Sequence, residues 1–349
     1  MSLMYKKLNE ILKDCDAVII SSPHNLRYFS GFSGGEGLLL ITKNERFLFT
    51  DSRYIESAEN EASDFSVKEG GLKLCAEIVK SLCLEKIAYE DKFVTVSEFS
   101  RITSLLAAEF YGKSEEIEAL RAVKEPFEVE LIKEAEHIGD MAFSHILSYI
   151  KDGVSENDIA AELEYFMRKQ GATKTSFDTI VISGKKTSMP HGMPSDKKIK
   201  NGDFVTMDFG CIYKGYCSDM TRTVVIGKAS NEQKKIYDVV KAAQSAGLEA
   251  IKAERSGYEA DKAARDIIDD AGYGKYFGHS LGHGVGLLIH EMPLLSPNYR
   301  GIMKENMVVS CEPGIYIPGK MGVRIEDLVL VTAENPVIFS KSSKDLIEI

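Results

Sequence analysis

A chain of 349 residues is longer than one ordinary domain and suits two. Its composition, 44% hydrophobic and 28% charged, is that of a globular chain, and the net charge of −10 argues against nonspecific nucleic-acid binding. No run of 18 apolar residues is available to span a bilayer, and residues 1–16 lack the apolar centre of a secretory signal.

Residues 4–14 read as a short amphipathic helix, with 1–3 as an expression remnant before a natural start at Met4. A buried strand is expected at 17–21 (AVIIS) and a turn at 23–25. Residues 26–32 then lead into the glycine-rich bend GFSGGEG. Strands at 37–42 and 46–50 are joined as a hairpin by Lys43-Asn44-Glu45. Residues 51–62 open on an acid suited to a helix start, 72–84 and 95–106 have helical period, and 86–90 (KIAYE) reads as a strand. This alternation predicts a small α/β domain with a mixed sheet over 1–122.

The charged, proline-containing stretch RAVKEP at 121–126 marks the boundary. The second domain, 123–349, opens on a long amphipathic helix at 127–149. Ser155 with Asp158, and Ser230 with Gln233, are capping-box starts for helices reaching about 169 and 253. A further helix covers 258–271 and stops at Gly272. Strands are expected at 179–183, 286–290, 307–312 and 322–332, so helices pack on a predominantly antiparallel sheet and the chain as a whole is α+β. The six cysteines show no C-x-x-C pair. They read as free buried thiols of a reducing cytoplasm, in preference to a Cys211–Cys217 disulfide.

The stretch 201–227 reads as a hairpin turning at Lys214-Gly215. That turn sets Asp219 opposite Gly210, so Asp208 and Asp219 become diagonal neighbours on one face, about 7 Å apart. Two like charges this close are costly in an interior without a cation, and surface acids on an edge hairpin are the alternative. Glu312 ends a buried strand before a Pro-Gly turn. Arg324 and Glu326 share one face of a strand and could pair with each other. His279 and His283 are four apart and His290 lies seven further on, among glycines that argue for bends and against a helical zinc motif. Asp208, Asp219, Glu312 and Glu326 are thus four carboxylates on four strands of one apolar sheet. With His283 they make an oxygen-rich donor set suited to two divalent ions.

The ordered runs MDFG, SDMTRT, HSLGHGVGLLIHE, CEPGIY and GVRIED resemble the pita-bread metallopeptidases, in the Xaa-Pro aminopeptidase and prolidase branch. NLRYFSGFSGGEGLLLIT and FTDSRYIESAE resemble the N-terminal domain of that branch, which methionine aminopeptidases lack. The resemblance implies a creatinase/aminopeptidase-like pita-bread catalytic domain following that N-terminal domain. It implies metal ligation by Asp208, Asp219, His283, Glu312 and Glu326, with Asp219 and Glu326 bridging two ions, Asp208 on one, and His283 and Glu312 on the other. Mn²⁺ is the expected metal, with Co²⁺, Fe²⁺ or Zn²⁺ as alternatives. His191 (in SMPHGMPSD), His279, His290 and Arg324 match residues around the substrate. Glu312 is expected to take a proton from water and pass it to the leaving proline nitrogen.

The implied function is hydrolysis of the bond preceding proline in peptides, by a cytoplasmic homodimer with no nucleic-acid or membrane partner. A prolidase restricted to dipeptides and a non-catalytic peptide-binding module remain as alternatives. Creatinase has lost the ligands, so the intact five argue against it. His24, His137 and His145 have no motif around them and read as ordinary.

Overall fold

The computed structural model describes residues 8–349; the remnant and most of the first turn of the N-terminal helix expected at 4–14 lie outside the described residues. The chain divides into two compact units between Arg121 and Ala122.

The first unit holds strands β1 (Ala17–Ile20), β2 (Leu38–Thr42), β3 (Arg46–Thr50), β4 (Ser66–Glu69), β5 (Lys86–Tyr89) and β6 (Glu109–Gly112). They form one mixed sheet in the order β4-β3-β2-β1-β5-β6. β1 is central, antiparallel to β2 and parallel to β5, and its side chains are all buried, which is why it reads as a continuous apolar run. Helices α1 (Pro23–Ser30), α2 (Ile55–Glu61), α3 (Leu72–Ser81) and α4 (Val96–Leu105) connect the strands, and α5 (Ser114–Ala122) follows β6.

The turn expected at 23–25 is instead the first turn of α1. Pro23 occupies the helix start, where its missing N–H costs nothing. Gly31, at φ 80°, closes the helix in a left-handed cap. The edge strands β4 and β6 escaped the sequence reading because their side chains are half-buried or exposed and give no alternation.

The second unit is built from helix pairs packed on antiparallel strands. Helices α6 (Pro126–Tyr149) and α7 (Glu156–Lys169) cover β7 (Lys174–Thr175), β8 (Ile180–Ser183), β9 (Phe204–Phe209), β10 (Cys211–Tyr213), β11 (Tyr216–Cys217) and β12 (Met220–Val225). Helices α8 (Asn231–Ala250) and α9 (Gly257–Asp270) cover β13 (Gly282–Gly284), β14 (Glu291–Leu295), β15 (Val308–Cys311), β16 (Gly314–Ile317), β17 (Met321–Arg324), β18 (Asp327–Leu330) and β19 (Val337–Ile338). The caps at Ser155, Ser230 and Ser256 each accept from the amide three residues on, and the acid or amide there bonds back. Fully buried side chains such as Val181, Val205, Ile236 and Val309 each stabilise by about 1.5–3 kcal/mol.

The 201–227 hairpin has the register set by its turn. Met220 faces Phe209 and Tyr213 faces Tyr216, which places Asp219 opposite Gly210. Lys214 and Gly215 both have positive φ, 46° and 91°, the signature of a tight turn matched to strand twist. Gly210 is required there: a β-carbon would lie 2.0 Å from the Ser218 carbonyl oxygen.

Three expectations are corrected. The run 322–332 is not one strand. β17 pairs with β16 while β18 pairs with β15, and the chain crosses between sheets at Ile325-Glu326. Accordingly the four carboxylates do not sit within four strands of one sheet; Asp208 lies inside β9, whereas Asp219, Glu312 and Glu326 stand at strand ends. Residues 286–290 form a bent loop between β13 and β14, not a strand, because Gly286 and its neighbours bond within the loop. All six cysteines are free; Cys83 is exposed and the others are buried.

Candidate metal centre

The two halves of the second unit meet where β12 runs beside the crossing at Glu326. The Glu326 amide donates to the Thr221 carbonyl at 3.1 Å, and the Thr223 hydroxyl donates to the Arg324 carbonyl at 3.0 Å. At this seam one cavity of about 430 Å³ is lined by Asp208, Asp219, His283, Glu312, Glu326, His191, His279, His290 and Arg324. These are all of the site residues singled out from the sequence, drawn from segments far apart in the chain.

Asp208, Asp219 and Glu326 bring carboxylate oxygens within 4.8 Å of one another, and all three residues are buried. Burial pushes the Asp219 carboxyl well above the ordinary range, and repulsion from Glu326 and Asp208 adds to it. Burial does the same to Glu326, reinforced by Glu312 and Asp208. Asp208 is raised by burial although Arg324 opposes the shift. Asp208 Oδ1 and Glu326 Oε1 are buried and have no hydrogen-bond partner among the described residues. Such orphaned oxygens, converging with like charge, suit a divalent cation.

Glu312 and His283 adjoin this cluster. His283 Nε2 lies 3.3 Å from Glu312 Oε1 and 3.6 Å from Asp219 Oδ2. Its Nδ1 faces the Gly284 carbonyl at 3.1 Å, which assigns the proton to Nδ1 and turns Nε2 to the carboxylates, as a metal-ligating imidazole requires. Burial alone would raise Glu312, but in the metal-free protein a protonated His283 donates to it through Nε2, and that hydrogen bond and charge outweigh burial and hold the carboxyl at about 2; an ion bound at Nε2 would displace that proton. The donor set is one imidazole with four carboxylates, a set that fits Mn²⁺ or a similar divalent ion.

Arg324 does not pair with Glu326. Its Nη2 donates to Asp208 Oδ2 at 2.5 Å, its Nε to the Thr221 hydroxyl at 3.1 Å, and its Nη1 to the Tyr316 hydroxyl at 2.8 Å. Thr221 in turn donates to Glu326 Oε2 at 2.7 Å. Tyr316 Oη is also 3.0 Å from His279 Nε2, and His279 Nδ1 is 2.8 Å from the Ser280 carbonyl. Both nitrogens of His279 are therefore engaged within the protein, and burial keeps its pKa low. Replacing Arg324 by Met leaves Asp208 buried without its cation. Urea denaturation is expected to show a loss of about 3–5 kcal/mol; a loss under 1 kcal/mol would mean that the pair contributes little.

Thr221 and Tyr316 went unassigned in the sequence although both lie in the motif runs SDMTRT and CEPGIY. Behind Asp219, the α6 residue Glu136 accepts from the Asp219 amide at 3.3 Å and from the Ser340 hydroxyl at 2.6 Å, and burial pushes it to about 8. No local pattern marks Glu136. The apolar lining from Phe177, Ile180, Met193 and Ile289 was likewise unread. A second cavity, about 420 Å³ in the first unit, lacks comparable chemistry, since its acids are engaged: Glu36 and Asp51 are each 2.7 Å from Arg53, and Glu98 accepts from the Thr95 amide and hydroxyl.

Comparison with known proteins agrees with this layout. Residues 130–333 match metallopeptidase family M24, and residues 5–123 match the creatinase/prolidase N-terminal domain. The Xaa-Pro dipeptidase of Pyrococcus furiosus is 39% identical, over 99% of this chain and 100% of its own. Among solved structures, an Xaa-Pro dipeptidase from Bacillus anthracis superposes with a TM-score of 0.97 at 44% identity, covering 99% of each chain. An X-Pro aminopeptidase from Thermotoga maritima gives 0.92 at 40% identity, covering 98% of this chain and 99% of its own.

Proposed function

Because the chain belongs to metallopeptidase family M24 and carries a creatinase/prolidase N-terminal domain, we propose that it is an Xaa-Pro aminopeptidase, hydrolysing the bond between an N-terminal residue and a following proline. The observation that carries the reading is the convergence of Asp208, Asp219 and Glu326 with the His283–Glu312 pair in one cavity. In this reading these five residues hold two divalent ions, Mn²⁺ first among the candidates. Bound there, the ions would polarise the scissile carbonyl and ease deprotonation of the attacking water.

The protein's own groups do the rest. Glu312, held ionised, accepts the water's proton on a carboxylate oxygen and returns it to the leaving proline nitrogen. The Ser310 hydroxyl, 3.1 Å from Glu312 Oε1, steadies that carboxylate. His191 and His290 line the cavity and donate to substrate oxygens. Proline lacks an N–H, so its recognition falls to shape, which Phe177, Ile180, Met193 and Ile289 supply. The reading also includes a homodimer, which sedimentation at micromolar concentration tests.

Prolidase activity restricted to dipeptides is the second reading, favoured by the names of the Pyrococcus and Bacillus relatives. It requires a cation for the proline carboxylate. Arg324, the one cationic side chain other than histidine among the described lining residues, is committed to Asp208, Thr221 and Tyr316. That commitment favours the aminopeptidase. With Mn²⁺ supplied, an Xaa-Pro-Yaa tripeptide is expected to be cleaved at least as fast as the matching Xaa-Pro dipeptide. Cleavage of the dipeptide alone would establish the prolidase reading, and cleavage of neither would refute both.

A further inference from the structure

Outside the candidate ligands, two ion pairs are almost wholly buried, Arg222–Asp327 and Lys124–Glu291, and the second lies beside the loop that carries His290. Lys124 and Glu291 lie in the second unit, Nζ to Oε2 at 3.2 Å, with side chains 1% and 2% exposed. Lys124 stands just before Glu125, the residue that caps α6, and its amide donates to the Asn306 carbonyl at 2.8 Å. Glu291 is the first residue of β14 and directly follows His290.

The pair bears on the 285–290 loop. Glu291 Oε1 accepts from the Leu288 amide at 2.9 Å. A β-carbon at Gly286 would lie 2.8 Å from Glu291 Oε2, so the carboxylate lies directly over the loop backbone. The Gly286 carbonyl accepts from the Cys217 amide at 2.8 Å, and the Gly286 amide donates to the Leu288 carbonyl at 3.0 Å. The loop thus closes around one carboxylate, and Lys124 holds that carboxylate. At its end the His290 ring stands edge-on to His283, with centroids 4.4 Å apart and planes at 77°.

Stability alone is a poor reason for such a pair, because desolvating two ions offsets most of their attraction and apolar replacements do as well. Placement of the loop is the better reason. We propose that Lys124 and Glu291 are positioning residues: their buried pair clamps the 285–290 loop and sets His290 against the cavity. The kinetic part of this inference rests on the peptidase reading; the clamp itself does not.

The test uses the metal-loaded full chain, Lys124→Met, Glu291→Gln and His290→Ala singly, and each of the first two combined with His290→Ala. Glu291→Gln keeps the size and the acceptor for the Leu288 amide, and serves if Lys124→Met does not fold. Amide exchange followed by mass spectrometry is expected to speed up about tenfold or more in 285–290 while β8 and β9 keep their rates. With an Xaa-Pro-Yaa tripeptide, kcat is expected to fall about 10–100-fold at near-constant KM and unchanged metal content. The combined variants are expected to be no slower than His290→Ala alone. Unchanged exchange in the loop would overturn the clamp, and penalties that multiply in the combined variants would overturn its action through His290. A wild-type protein inert toward the tripeptide would refute the aminopeptidase reading, while the exchange comparison still decides the clamp.

Discussion

Replacing Glu312 by Gln is expected to lower kcat for an Xaa-Pro-Yaa peptide by about 10²–10⁴-fold, the range for loss of a general base. Glu312 is held ionised at about 2 by His283, so across the neutral range it is a proton acceptor and never a donor in the resting protein. Glutamine has the same shape and can still accept from the Ser310 hydroxyl, but cannot take up a proton. The fold should therefore survive, with circular dichroism and the unfolding midpoint close to wild type. Metal content measured on the same sample separates loss of the base from loss of a ligand. Activity within about tenfold of wild type would remove Glu312 from the proton path.

Stripping the metal is expected to destabilise the second unit, and the deficit should grow with pH. Asp219 and Glu326 sit well above the ordinary carboxylate range in the metal-free protein. The native state then holds protons that the unfolded chain releases from about pH 4 upward. Such groups favour folding below their unfolded pKa, and the contribution is lost as pH rises through their folded values. Glu312 runs the other way: depressed to about 2, it stabilises above its ordinary value and loses that only as pH falls toward 2. A bound ion replaces the protons on Asp219 and Glu326, so ion binding strengthens as pH rises. At a hundredfold excess over Kd, ligation adds about 2.7 kcal/mol, or roughly 5–10 °C in Tm. Scanning calorimetry of loaded and stripped protein at pH 5 and pH 8 checks this. A gap that is equal at both, or larger at pH 5, would contradict the coupling between the carboxylates and the ion.

What the sequence disclosed were features whose physics is local. The capping residues Ser155 and Ser230 mark helix starts because cap and partner are three residues apart. Lys214-Gly215 fixes the register of Asp208 and Asp219 because a two-residue turn leaves little choice of pairing. What it hid depends on distant partners. GVRIEDLVLVT looks like one strand, yet it splits because Gly322 through Arg324 pair back to β16 while Asp327 onward pairs with β15. The partner of Arg324 is Asp208, 116 residues away, and no spacing rule indicates it. Glu136, Tyr316 and the Lys124–Glu291 pair have the same character: each acts through a contact between segments far apart in the chain, which exists only once the second unit has folded. In the first unit, PHN at 23–25 reads locally as a turn, and burial of Leu26 and Phe29 makes it the start of a helix.

Metal stoichiometry bears most directly on the central claim that Asp208, Asp219 and Glu326, with His283 and Glu312, hold divalent ions for peptide hydrolysis. The measurement is elemental analysis of the full chain after loading with Mn²⁺ and removal of free ion, beside Asp219→Asn treated identically. The predicted result is two ions per wild-type chain, a clear loss in Asp219→Asn, and Xaa-Pro cleavage that tracks the bound metal. A wild-type chain that binds no divalent ion, or cleaves at full rate without it, would contradict the account.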